Sequence, residues 1–484
     1  MTAAALPRSG RLVAGVDCST QATKVEIRDV DSGAIITTGS APHPTTTPPC
    51  SEQSPSAWWG AFEHAWAAAG SPEVAAISVG GQQHGMVVLD ETGTVIRDAK
   101  LWNDTETAPD AGWLIKQLPN GAADWAQRCG SVPVAALTIA KLSWLHRSEP
   151  EAWERLAKVV LPHDWMTAQL TGAAVDEITT DRGDASGTGY WSAATGQYCW
   201  DLLAIVDKDR DWSGAVPRVL GPLEIAGTWH DAVVGAGTGD NAAAALGLGV
   251  GVGDILISIG TSGTVSTVSE TPTSDQSGAV AGFADATGRF LPLVCTLNAT
   301  RVTDAIARLL GVGLDELDHL ALQTVPGSGG LVLLPYFDGE RVPNRPKSTG
   351  WLSGLRSDVS REQLARASIE GVVCSLLDGL DALAEHTVAP KRVVLVGGGA
   401  RSVAYRQVFA ELCDVPIVVA DLDQAVATGA CVQAASALDQ VPAADVIVRW
   451  GLGATTAVET TGSAGGASAG DVRAAYAALR DRTG

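Results

Sequence analysis

The chain has 484 residues, 46% of them hydrophobic and 18% charged, a balance that fits a globular protein with sizeable cores. At about 150 residues per domain it has room for two or three domains. A formal net charge of −21 argues against a nucleic-acid partner, which needs a clustered basic face, but not against an anionic ligand held by backbone dipoles.

The first apolar run begins near Leu12, and LVAGVDCSTQATKVEIRD over Leu12–Asp29 reads as strand, small-residue turn, strand. Asp17 closes the first strand beside hydroxyl and amide donors. A carboxylate there can orient a Mg²⁺–phosphate unit through waters, or simply cap its own turn. Pro42–Pro55 is a Pro/Thr/Ser-rich crossing loop, and Ser56–Gly70 reads as a helix that buries its tryptophans. A short strand over Ala75–Val79 runs into Gly80-Gly81 and the sequence GGQQHG. The glycines expose Gln82, Gln83 and His84, which can donate to several hydroxyls of a polyol. A structural histidine satisfied by backbone is the equal alternative. Asn103 and Asp104 in LWND are polar residues after an apolar run and fit a turn as well as a ligand. Residues 105–230 are expected to be mainly helical and to hold most of the tryptophans.

A strand from Ala232 leads into GAGTGDNAAAALG, where Asp240 opens a helix over Asn241–Leu248. At a helix start the dipole and free N–H groups hold a carboxylate ionised. Such a group can accept a proton from a hydroxyl attacking phosphorus, or act as a plain helix cap. A domain boundary is expected near 250–255. ILISIGTSGTVSTVSE over Ile255–Glu270 then repeats the hairpin pattern. Further on come a strand at Leu331–Pro335, a long helix over Arg361–Glu385, and VVLVGGGARS over Val393–Ser402 feeding the helix Ser402–Cys413 and the strand Ile417–Val419. Duplicated glycine turns suit a fold with two phosphate-gripping lobes, because backbone N–H groups must approach phosphate oxygens closely. No complete G-x-G-x-x-G or P-loop occurs, so Rossmann and P-loop readings lose support. Residues 456–470 are low-complexity, and the G-x-S-x-G match at Gly466–Gly470 inside them is taken as chance. A last helix is expected over Val472–Arg482. The eight cysteines lack CxxC or zinc-like spacing and read as reduced thiols of a cytoplasmic protein. No apolar run reaches the length of a membrane span.

Taken in order, these segments resemble the FGGY family of carbohydrate kinases over about residues 12–440. The narrower match, to the branch that phosphorylates D-xylulose, rests on GGQQHGMVVLDETG with LWND, DRGDASGTGYW with a following CWD, GDNAAAALG and PYFDGERVPN. The resemblance implies an α/β fold of two actin-like, ribonuclease-H-like lobes with a central cleft. It assigns residues 1–254 to the sugar-binding lobe, 255–445 to the nucleotide lobe and 446–484 to a tail. It implies ATP and Mg²⁺ as cosubstrates, Asp240 as catalytic base, and Gln83, His84, Asn103, Asp104 and Asn241 around the sugar. Asp17 falls on the metal-organising acid, and Thr20 and Lys24 on the first phosphate loop. Gly260, Thr261, Ser262 and Gly263 fall on the second loop. Gly398, Gly399, Ala400 and Ser402 fall on the adenosine turn. The implied reaction converts D-xylulose to D-xylulose 5-phosphate, with another ketose or a polyol (ribulose, a pentitol, glycerol) as the alternative. A non-catalytic actin-like sensor is disfavoured by the retained Asp240. The partner is a small-molecule sugar, with no nucleic acid and no membrane, and a homodimer is allowed. Two departures stand out: Gln83 replaces a methionine common in that branch, and Cys18-Ser19 replaces a common Leu-Gly.

Overall fold

A computed structural model describes residues 11–459 and 465–483. The low-complexity stretch expected over 456–470 therefore lies partly outside the described residues. The chain forms two compact units, and neither is continuous in sequence. The first comprises Met1–Gly249, Glu270–Leu291 and Gln424–Gly453, the second Val250–Ser269, Pro292–Asp423 and Ala454–Gly484. The sequence reading runs the second lobe unbroken from 255 to 445. In the structure, residues 424–453 return to the first unit, because the helix Ala425–Asp439 buries Cys431, Val432 and Ala435 against Val13 and Ala76. The following helix, Ala443–Trp450, is pinned there by Trp450 Nε1 donating to the Val30 carbonyl at 2.8 Å.

The first unit is built on a sheet with strand order Ile225–Trp229, Ala232–Gly235, Ala76–Gly81, Leu12–Cys18, Ala22–Asp29 and Ile35–Pro42. Apolar, β-branched strands buried on both faces explain it: Val13, Val16, Val25, Ile27, Ile77 and Val79 are all buried. Burying each such side chain contributes about 1.5–3 kcal/mol. Register fixes where function can sit. Leu12–Cys18 runs parallel to Ala76–Gly81 with Asp17 opposite Gly80. The two-residue strand Thr238–Gly239 pairs with the same place, Thr238 opposite Gly80 and Gly239 opposite Gly81. Asp17, the turn after Gly81 and the residue after Gly239 are thereby gathered at one end of the sheet.

The helix Asp240–Gly247 is seated on Ala425–Asp439 by mutual backbone approach. A Cβ on Gly247 would strike the Ala425 carbonyl, and one on Gly429 the Ala243 carbonyl. The tryptophans largely follow expectation: Trp58 in the helix Pro55–Ala68 is buried and donates to Gln53 Oε1 at 2.7 Å, whereas Trp59 and Trp66 are half-buried. Trp125, Trp153 and Trp212 fill a second core of the first unit among the helices between residues 108 and 215.

The second unit repeats the plan. Its strands lie in the order Phe290–Thr296, Gly263–Thr267, Asp254–Ile259, Arg392–Val396, Ile417–Ala420 and Thr455–Ala457. The long helix Arg361–Ala384 packs against it, opened by a capping box between Ser360 and Gln363. The last helix, Ala469–Arg482, is capped by Ser468, whose hydroxyl accepts from Asp471 N–H. The serine of the G-x-S-x-G match is therefore a helix cap. No helix among the described residues is long and apolar enough to cross a membrane.

Candidate active site

In the first unit Asp240 is the first residue of its helix, not the cap: Gly239 holds that position, and no side chain caps the end. The plain-cap reading of Asp240 is thus set aside. Its Oδ1 accepts from Asn241 Nδ2 at 2.9 Å, and that same amide nitrogen donates to Gln83 Oε1 at 2.8 Å. Both amide protons of Asn241 are committed, which aims its Oδ1 as the remaining acceptor. Gln83 is buried, so the amide that replaces the usual methionine serves Asn241 directly.

The sequence reading has Asp240 held ionised by the helix dipole. The structure reverses this. Burial, followed by the negative charges of Asp17 and Asp184, pushes its carboxyl up to about 7. Asp240 still keeps part of its surface open to water. A half-buried carboxyl poised near neutrality suits a general base better than a permanently charged one, since proton transfer is most efficient when the pKa lies near the working pH.

His84 stands in the left-handed backbone region, φ 66°, which a non-glycine residue adopts only under external constraint. Its carbonyl accepts from Thr138 Oγ1 at 3.2 Å, and its backbone N–H is directed to the Asp184 carboxylate. Its Nδ1 lies 2.8 Å from the Gly187 carbonyl. A carbonyl only accepts, so Nδ1 carries the proton and, in the neutral ring, Nε2 carries the lone pair. Phe283 packs beside the ring at 5.4 Å between centroids.

Asp17 is buried at its strand end. It accepts from Ser19 Oγ and pairs with Lys24 Nζ at 3.3 Å. Thr20 Oγ1 donates to Gln82 Oε1 at 3.3 Å and receives Trp102 Nε1 at 2.8 Å, so the LWND segment braces the turn after Asp17 through its tryptophan. Asn103 is half-buried, and its Oδ1 has no hydrogen-bond partner. Asp104 does not join this group. Its carboxylate accepts from Ser51 N–H at 2.9 Å, Lys100 Nζ at 2.9 Å and Glu106 N–H at 3.0 Å. Lys100, fully buried, also pairs with Glu52 and Glu106 and sits 4.0 Å above the Trp144 ring. The ammonium occupies the centre of a cluster of carboxylates that would otherwise repel one another.

The second unit carries the other two turns. Gly260, Thr261 and Ser262 link two antiparallel strands, and Gly263 begins the second. The Gly260 and Thr261 carbonyls are fixed by Thr300 and Ala299 N–H, which orients the loop before any ligand arrives. In the turn after Arg392–Val396, Gly399 and Ala400 are buried packing residues. Gly398 is exposed, as is Gly397 before it, and a Cβ on Gly398 would meet nothing within 4 Å, so the backbone can be approached closely there. Ser402 is committed elsewhere: its hydroxyl caps the helix Val403–Leu412 by accepting from Tyr405 N–H and donates to Asp318 at 2.7 Å.

Sequence reasoning missed a buried cluster in the first unit. His163 lies between Asp184, 2.8 Å from Nδ1, and Asp164 and Asp181, 3.2 and 3.6 Å from Nε2. The one available signal was T-D-R-G-D, a short-helix start in which Asp181 caps Gly183 and Asp184.

Known proteins similar to this chain identify it as a carbohydrate kinase. Residues 12–247 match the N-terminal domain, and residues 255–438 the C-terminal domain, of the FGGY family of carbohydrate kinases. The chain is 46% identical over 453 residues to the xylulose kinase of Streptomyces coelicolor and 45% identical to that of Streptomyces rubiginosus, covering 91% of each chain in both cases. It superposes on the crystal structure of xylulose kinase from Bifidobacterium adolescentis with a TM-score of 0.86 at 40% identity, covering 97% of this chain and 99% of that one. The chain belongs to the FGGY family of carbohydrate kinases, and its α/β fold is the actin-like fold of that family.

Proposed function

We propose that the enzyme transfers the γ-phosphoryl group of ATP to the terminal hydroxyl of D-xylulose, giving D-xylulose 5-phosphate. The observation that carries the chemistry is Asp240, uncapped at its helix start, half-buried and poised near neutrality beside an amide that is itself held by Gln83. Identity to xylulose kinases across nine-tenths of the chain supports the choice of sugar. As the hydroxyl attacks phosphorus in line, Asp240 accepts its proton. Asn241 Oδ1 and His84 Nε2 accept from other sugar hydroxyls, and Asn103 offers one more acceptor. Backbone N–H groups of Gly260–Gly263 and of the turn at Gly398 face phosphate oxygens, with Thr20 and Lys24 serving the first loop.

Asp17 lies close enough for its charge to act on Asp240, and its carboxylate oxygens are hard donors of the kind a divalent cation takes. Asp17 would hold Mg²⁺ through its water shell, and the ion would supply charge neutralisation on the transferring phosphoryl. All eight cysteines are free, in keeping with a reaction carried out in the cytoplasm. ADP release measured with D-xylulose, D-ribulose, a pentitol and glycerol under equal Mg²⁺–ATP tests the reading. Highest kcat/KM on D-xylulose is expected. A tenfold preference for another acceptor, about 1.4 kcal/mol, would reassign the sugar and keep the class.

A further inference from the structure

We propose that His163, clasped between Asp181 and Asp184, is a positioning residue that locks the sugar-binding turn and the base-bearing turn into one geometry. The inference rests on the assignment of Asp240 as base and His84 as sugar ligand. Each turn is tied to a different carboxylate of the clasp. Thr238, two residues before Asp240, donates through Oγ1 to Asp181 Oδ2 at 2.8 Å. His84, strained at positive φ, directs its backbone N–H to Asp184, and Gly187, at the end of the same helical turn, receives its ring. His163 joins the two carboxylates, hydrogen-bonded to Asp184 and in ionic contact with Asp181 and Asp164.

Shape supports the same role. The sugar turn is seated on the start of the helix Pro162–Thr171 at both of its ends: a Cβ on Gly81 would fall 2.7 Å from His163 Cβ, and one on Gly85 2.5 Å from Pro162 Cγ. On the other side Gly237, at φ 77°, lies against the His163 ring with no room for a side chain. The imidazole is thus a wedge between the two segments that must be held in register for catalysis. Among the described residues it is also the one cation in ionic contact with these three buried carboxylates. Burial opposes its charge, but the Asp164, Asp184 and Asp181 charges win and raise it to about 9. An imidazolium there neutralises carboxylates that could not otherwise accept their N–H and O–H donors at so little cost.

A purely structural histidine and a positioning one predict different kinetics. In full-length His163→Gln, counted per folded molecule by circular dichroism, sugar KM should rise and kcat fall, each by about tenfold or more, with ATP KM within about twofold of wild type. Sugar KM and kcat both within about twofold of wild type in the folded variant would overturn the proposal. Should His163→Gln fail to fold, Thr238→Val decides. It cuts only the Asp181 tie, so kcat should fall at unchanged sugar KM and recover in Thr238→Ser. Wild-type kcat in Thr238→Val would overturn the proposal. Asp240→Asn in parallel separates the two layers, since normal turnover there would refute the base assignment regardless of how His163 behaves.

Discussion

Asp240→Asn should make the enzyme both inactive and more stable, and the stability gain should grow with pH. In the unfolded chain the carboxyl ionises near 3.8, whereas in the folded state burial and the neighbouring Asp17 and Asp184 hold its proton until about 7. The folded state therefore binds the proton more tightly, and folding stability falls as pH rises from about 4 to about 7, then stays low. The full difference corresponds to a ceiling of about 4 kcal/mol. Asp240 is only half-buried, so solvent screening reduces this to about 1–2 kcal/mol. Asparagine cannot ionise and escapes the penalty. Thermal melts in metal-free buffer should then show the variant a few degrees above wild type at pH 8, with a smaller difference at pH 5. Its kcat should fall by about 10²–10⁴-fold, about 3–5 kcal/mol of transition-state stabilisation. The two readouts fail independently. A stability difference that does not change with pH would mean that no ionised carboxylate is being forced into a hostile site. Near-normal kcat would mean that Asp240 is not the base.

Asp17→Ala should lower kcat and weaken its Mg²⁺ dependence together, read from a Mg²⁺ titration of the rate; a raised sugar KM as the sole defect would contradict the role. His84→Ala should raise sugar KM with ATP KM close to wild type, and an equal rise in both would show that the histidine does not act at the sugar. Gln83→Met restores the residue common in the family branch and releases one amide proton of Asn241, so sugar KM should change by up to about tenfold with little effect on stability. Ser402→Ala should leave ATP KM unchanged and lower stability by about 1 kcal/mol in urea melts, because the hydroxyl is a helix cap.

The parts of the site that were legible in sequence are those that the backbone forces. A glycine turn at the end of an apolar run has few conformations, and parallel pairing of Leu12–Cys18 and Thr238–Gly239 with one strand, Ala76–Gly81, leaves Asp17, His84 and Asp240 nowhere else to go. Residues whose role depends on what a neighbouring side chain is doing were not legible. Asp104 looks like a ligand residue until Lys100 is found inside the carboxylate cluster, and a lysine with no exposed surface leaves no mark in a sequence pattern. Ser402 follows a glycine turn as a nucleotide ligand would, but it also precedes a helix, and the helix claims its hydroxyl. His163 sits some twenty residues from its partners, Asp181 and Asp184, so no local spacing betrays the pairing.

Asp240 shows the same limit from the electrostatic side. Its place at a helix start is readable, and a helix N-terminus favours negative charge by about 0.3–1 kcal/mol. That local term is decided against by non-local ones: enclosure by protein and two carboxylates, Asp17 and Asp184, delivered by other strands and turns. The local rule singles out the residue but omits the neighbours that raise its proton affinity. The difference matters for the chemistry, because a carboxylate stabilised at its helix end would be a poor proton acceptor. In the proposed role, the crowding that destabilises its charge is what would give Asp240 the basicity to take a proton from an alcohol.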